Sequence, residues 1–235
     1  MTGWAKRRFW TTAEVVERAD GFSVALDGRM IKTPARADLT LPTRLLAERV
    51  AAEWQAQDKK IDPETMPATR AANAAIDKVR GQFGEVAALI TAYGETDLLC
   101  YRATGPAALR ARQAVAWDPL LEWSVARFCI RWHVVSGVMP QPQPEATLTR
   151  LAGHVAGFSP FELTAFHDLV AMSGSLVIGL AAAEQHDAPE LLWRASRIDE
   201  DWQIEQWGAD ADAEALAAVR RQSFLDAAAF FLACR

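Results

Sequence analysis

No apolar run in this chain approaches the roughly 20 residues that span a bilayer. The longest, Leu176 to Ala183, is far shorter, so no membrane insertion is expected. Cysteine is scarce: Cys100, Cys129 and Cys234 are odd in number, far apart and set in apolar surroundings. That excludes a disulfide framework and a zinc site and suits free thiols in a reducing compartment. Basic residues are not in excess, with 25 Lys and Arg against 30 Asp and Glu and a net charge of -5. General attraction to phosphate backbones or anionic lipid is therefore absent, and no nucleic-acid partner is expected; the cluster Lys6, Arg7, Arg8 does not reverse this. Neither G-x-x-x-x-G-K-[ST] nor G-x-G-x-x-G follows a strand, which argues against nucleotide use. Ser173-Gly174-Ser175 does not match G-x-S-x-G. His133, His154, His167 and His186 lack the i, i+4 spacing of a metal pair. No catalytic residue, cofactor or metal is assigned.

What is present is 51% hydrophobic residue content in two successive periodicities. From Phe9 to Leu41 apolar residues alternate and turn dipeptides punctuate them. Asp20-Gly21 follows Val15-Val16-Glu17, and Asp27-Gly28 separates the run Phe22 to Leu26 from Met30-Ile31-Lys32. Two hairpins and a short fourth run, Leu39-Thr40-Leu41, make an antiparallel meander with Phe22, Val24 and Leu26 inward. So small a sheet needs a cover, and the helix after Pro42-Thr43, with Leu46, Val50 and Trp54 in one stripe, provides it.

After the polar connector 58–67 the period becomes helical. Helices are expected over Thr69 to Val79 and Phe83 to Tyr93, then an extended segment over Thr96 to Arg102. Gly105-Pro106 opens a helix to Trp117, and Asp118-Pro119 starts a second, Leu120 to Arg131, at an angle. Ser159-Pro160-Phe161-Glu162 is a capping box. Ser173 to Leu180 reads as a buried central helix, and a final helix from about Asp212 presents Leu216, Val219, Phe224, Ala227 and Phe231. The fold class is α+β: a small antiparallel β-rich N-terminal domain with its covering helix (1–60), then a larger, mostly α-helical domain (61–235). Trp54, Trp117, Trp123 and Trp132 are assigned to the core.

The stretch Leu191 to Gly208 concentrates tryptophan and charge. Read as one helix capped by Asp187, it carries Leu191, Ala195, Ile198 and Trp202 on a core stripe and Trp193, Arg197, Glu200, Gln203 and Trp207 on the opposite face. Asp199, Glu200, Asp201 and Glu205 form an acidic cluster whose mutual repulsion needs relief, from Arg194 and Arg197 or from a partner. Gly208 ends the element. Tryptophan and arginine dominate binding hot spots, which favours an interaction protein over an enzyme. Two other readings stand beside it. One is a small metal- or carboxylate-dependent enzyme using the acidic helix, with His167-Asp168 joining Asp199 or Glu200; the other is a generic interaction scaffold.

Several segments occur together in order: Asp27-Gly28-Arg29 with Ile31-Lys32-Thr33-Pro34, Glu53-Trp54, Thr96 to Arg102, Trp117-Asp118-Pro119-Leu120, Ser173-Gly174-Ser175, and Asp199-Glu200 with Trp202-Gln203 and Trp207-Gly208. In this order they resemble the ATP synthase assembly chaperone family that binds the alpha subunit of the catalytic sector (the ATP twelve family) of mitochondria and alphaproteobacteria. The resemblance implies a β-rich N-terminal domain before a helical one. It also implies an ATP-independent, non-enzymatic chaperone that keeps unassembled alpha subunit from aggregating until the beta subunit replaces it. The family's functional acidic residue falls at Glu200, beside Asp199 and Asp201, and the partner-binding set is completed by Trp193, Arg197, Gln203 and Trp207. A monomer is expected. Met1 to Arg8 are too few for a secretory or transit signal, so bacterial cytoplasm is the expected address, with the mitochondrial matrix for organellar relatives.

Overall fold

The computed structural model describes residues 7–137 and 139–235; Lys6 of the basic cluster lies outside them. Strands β1 (Ala13–Arg18), β2 (Gly21–Leu26) and β3 (Arg29–Met30) form an antiparallel sheet in that order. Asp27 and Gly28 both take positive φ, 45° and 79°, as a two-residue hairpin turn requires. The Asp27 carboxylate accepts bonds from the Thr11 and Thr12 amides, which fixes the entry to β1. Residues 23–26 are all buried, so β2 is covered on both faces, whereas Phe22 is half-buried beneath the Arg44 guanidinium, 5.2 Å from its ring centre. The expected fourth strand is a single bridge, Leu41 to Phe22, held by bonds of 2.7 and 2.9 Å.

Helix α1 (Arg44–Ala56) covers this sheet as its stripe predicts. Thr43 caps it by accepting from the Leu46 amide, and Leu46 and Val50 are fully buried. Thr43 Oγ1 also donates to the Ala233 carbonyl. Glu53 bonds the Ala68 and Thr69 amides at 2.6 and 2.7 Å, capping α2 (Pro67–Ala74), which runs on into a π-helical turn, Ala75–Val79. The described residues up to Phe83 form one compact unit with Ser159–Ala165 and Ala229–Arg235. Within it Arg235 reaches Glu162 at 2.8 Å.

The second unit comprises Gly84–Phe158 and Phe166–Ala228. After α3 (Phe83–Thr91) the chain makes two 3₁₀ turns, Ala92–Thr96 and Leu98–Cys100; only Tyr101–Arg102 of the expected extended segment is a strand, β4. The turn forms because Asp97 accepts the Leu99 amide at 3.0 Å. Helix α4 runs unbroken from Ala107 to Phe128 with Pro119 inside it, where a break was expected. The carbonyl that Pro119 leaves without a donor is that of Val115, a residue 79% exposed, so water can satisfy it. Strand β5 (Val135–Ser136) pairs in parallel with β4.

Helix α5 (Glu145–Val155) precedes α6 (Pro160–Ser173), whose capping box forms as read: Ser159 N donates to Glu162 and Glu162 N to Ser159 Oγ. Gly174, at φ 71°, turns the chain into α7 (Leu176–Ala183), every residue of which is buried. Asp97, fully buried, accepts from Ser175 Oγ at 2.8 Å and from the Val177 amide at 3.0 Å, seating the start of α7. Trp117 is fully buried; Trp54, Trp123 and Trp132 are half-buried. Among the described residues no helix is long and apolar enough to cross a membrane.

Candidate partner-binding surface

The segment read as one helix is two. Helix α8 spans Pro189–Ala195 and α9 spans Ile198–Trp207, with a turn at Ser196 and Arg197. The break has a tertiary cause: the buried indole of Trp117 donates to the Ala195 carbonyl at 2.7 Å, taking the acceptor that a continuing helix would offer Asp199. Ser196 Oγ donates to the Trp193 carbonyl at 2.7 Å and stabilises the turn. Nor does Asp187 cap α8; the cap residue is Ala188, with Pro189 at the first helical position.

The break re-sorts the two expected faces. Leu191, assigned to the core, is 54% exposed. Trp193, assigned to the binding face, is 5% exposed and packs against Phe224 at 5.8 Å between ring centres. Ile198 and Trp202 are half-buried. Glu200, Asp201, Gln203 and Trp207 are exposed on α9, Trp207 at 79%. Thus α9 gathers four of the expected residues on a surface, and Trp193 belongs to the packing beneath.

The acidic cluster is relieved differently at each position. Arg197, its side chain 18% exposed, pairs with Glu200 at 3.1 Å. Asp199 accepts from Gln113 Nε2 at 2.6 Å, and the other end of that fully buried amide accepts from the Ala103 amide. Glu205 pairs with Arg112 at 2.7 Å; that hydrogen bond pulls the Glu205 carboxyl down and the Arg112 guanidinium up. Arg112 also lies over the Trp202 ring at 4.8 Å. Arg194, expected to help, instead approaches Glu190, 3.9 Å away. Arg112 and Gln113 sit in α4 some ninety residues earlier, and nothing in their local pattern signals this role. Asp201 has no ion pair among the described residues.

Two of the open grooves along α9 hold the expected residues Gln203 and Trp207. One, of about 480 Å³, is lined by Gly105, Pro106, Leu109, Trp202, Gln203 and Trp207. The other, of about 420 Å³, is shared with α10 (Ala211–Ala233), which Asp210 caps through the Ala213 amide. On α10 Phe224, Ala227 and Phe231 are buried as expected, while Leu216 and Val219 are 53% and 62% exposed.

His167 does not join this cluster; its Nδ1 lies 3.0 Å from the adjacent Asp168, whose hydrogen bond raises the imidazole's affinity for a proton. Among the described residues no three His, Cys, Asp or Glu are grouped to hold a metal ion. What the surface offers is aromatic area, amide donors and carboxylates, the chemistry of recognition.

Residues 7–125 match the family described as ATP12 chaperone protein. The mitochondrial protein atp12 of Schizosaccharomyces pombe is 24% identical over 220 residues, spanning 88% of this chain and 75% of that protein. Atp12 from Paracoccus denitrificans superposes with a TM-score of 0.95 at 44% identity, over 97% of this chain and 98% of that one. A proposed chaperone from Agrobacterium tumefaciens matches with a TM-score of 0.93 at 35% identity, over 97% of this chain and 86% of that one. The α+β architecture described above is common to these structures. With the family matched over half its length and a 44% identical relative covered almost end to end, the chain belongs to the ATP12 chaperone family.

Proposed function

We propose that this protein is an ATP-independent assembly chaperone of the ATP synthase catalytic sector. As a monomer in the bacterial cytoplasm it binds the unassembled alpha subunit and prevents its aggregation until the beta subunit takes its place. An orphaned oligomer subunit exposes an apolar patch that aggregates unless covered, and covering it requires complementary surface, with no bond made or broken. Family membership carries the chaperone reading. The placement of Glu200, Asp201, Gln203 and Trp207 together on exposed α9 supports that helix as the client-facing element, with Arg197 and Asp199 orienting it and Trp193 anchoring the packing beneath.

Glu200→Lys tests the site. Glu200 is exposed and its one ion pair, to Arg197, is of the surface kind worth at most about 1 kcal/mol. Circular dichroism and melting should therefore stay close to wild type while suppression of alpha-subunit aggregation is lost. A variant that melts early would make Glu200 architectural and remove it from the site. Pull-down of alpha subunit from lysate, with and without competing beta subunit, tests the client: alpha should be captured alone and released by beta.

A further inference from the structure

Between Ile198 and Val219 lie seven acidic residues and no Lys or Arg. Seven exceeds the net charge of -5 carried by the whole chain, so the remainder of the protein is net positive and the acidity is local. The same stretch is bare: α9 has no buried residue, and α10 has none before Phe224. Trp207, Leu216 and Val219 stand 79%, 53% and 62% exposed within it. The groove between the two helices has an apolar floor of Ile204, Ala213 and Ala217, with Trp207 and Leu216 as walls. The alanines, one turn apart, keep that floor low. Glu200 and Asp210 line the groove together with Arg197, which pairs with Glu200, and Arg220; Asp201, Asp212 and Glu214 lie outside it on the same two helices and have no ion pair among the described residues.

We infer that the groove between α9 and α10 receives a basic amphipathic helix of the client, whose apolar stripe fills the floor and whose flanking Lys and Arg meet the carboxylates that the two helices carry beside it. The inference rests on the client-holding reading above and names the chemistry of the segment held. An extended segment fits the groove less well. Both walls are helices whose backbone groups are already bonded within them, so they offer an incoming strand no ladder, and its own amides would be desolvated over an apolar floor. A helix arrives with its backbone satisfied and presents apolar residues at i, i+3, i+4 and i+7.

The test uses the full chain and a labelled peptide of about 18 residues, five helical turns, with leucines on one stripe and Lys and Arg on its flanks. Fluorescence anisotropy should show binding at least about tenfold tighter than to a Glu-flanked control, a difference of about 1.4 kcal/mol, and weakening with salt. Trp207→Ser with Leu216→Ser, at exposed walls of the groove whose change leaves the fold unaltered by circular dichroism, should cost about tenfold in affinity. Equal binding of the control peptide, no loss in the serine double variant, or sedimentation showing that the face pairs two copies of this chain would each overturn the assignment. Selective peptide binding without protection of alpha subunit would remove the proposed client and leave the groove's ligand class standing. Protection of alpha subunit by the serine double variant would do the reverse.

Discussion

Asp97 is a carboxyl that burial holds in its neutral form well beyond the usual range: removal from water raises it from 3.8 to about 6, against the pull of bonds from the Val177 and Leu99 amides and the Ser175 hydroxyl. The folded state therefore binds a proton between about pH 4 and 6 that the unfolded chain has released, so this group's contribution to stability falls as pH rises through that window. The full effect is of order 3 kcal/mol. Asp97→Asn cannot titrate; urea unfolding of wild type and variant at pH 4 and pH 7 should show the variant losing less on the way up. An identical slope in both proteins would assign the dependence elsewhere. The thiols divide in the same way. Burial pushes Cys100 up and Cys234 up to about 12, while Cys129 is exposed. Iodoacetamide at pH 8 should label Cys129 alone until the protein is unfolded, because only the thiolate reacts; early labelling of Cys100 by peptide mapping would contradict the packing described.

Among the helices, α7 is the least tolerant of added volume. A Cβ at Gly179 would stand 2.5 Å from Val170 Cγ2 and 3.2 Å from Phe166 Cε2, and a β-branched side chain on a helix has no spare rotamer to yield. Gly179→Ala should therefore lower stability by about 1–3 kcal/mol, outweighing the helix-propensity gain of up to about 1 kcal/mol. A higher melting temperature in the variant would refute the close approach. The buried character of α7 was legible because its residues are apolar all round, and the hairpins and the Ser159–Glu162 cap were legible because their signals are local. The break between α8 and α9 was not. Ser196 and Arg197 are ordinary helix residues, and what stops the helix is an indole from Trp117, 78 residues away in the chain. Pro119 failed as a signal for the opposite reason: its defect falls on an exposed carbonyl, where water makes it cheap. The expected face accordingly joined exposed residues of α9 to Trp193, which is buried, while Arg112 and Gln113 went unseen.

At the scale of the whole molecule, chain order and compact unit do not coincide, since Ala229–Arg235 belongs with the N-terminal residues. The Ala233 carbonyl takes the Thr43 hydroxyl at the cap of α1, and Arg235 ties to Glu162 within the same unit. Deleting Ala229–Arg235 should expose Leu46 and its neighbours to faster hydrogen exchange in α1 and the sheet than in α7, read by mass spectrometry; uniform protection would show that the first unit stands without its last strap. The dependence also orders events during translation. The sheet and its covering helix are synthesised well before Ala229–Arg235, the residues that finish their packing. Emergence of the sheet and its helix therefore does not by itself start the clock for a competent molecule; arrival of that distant strap does.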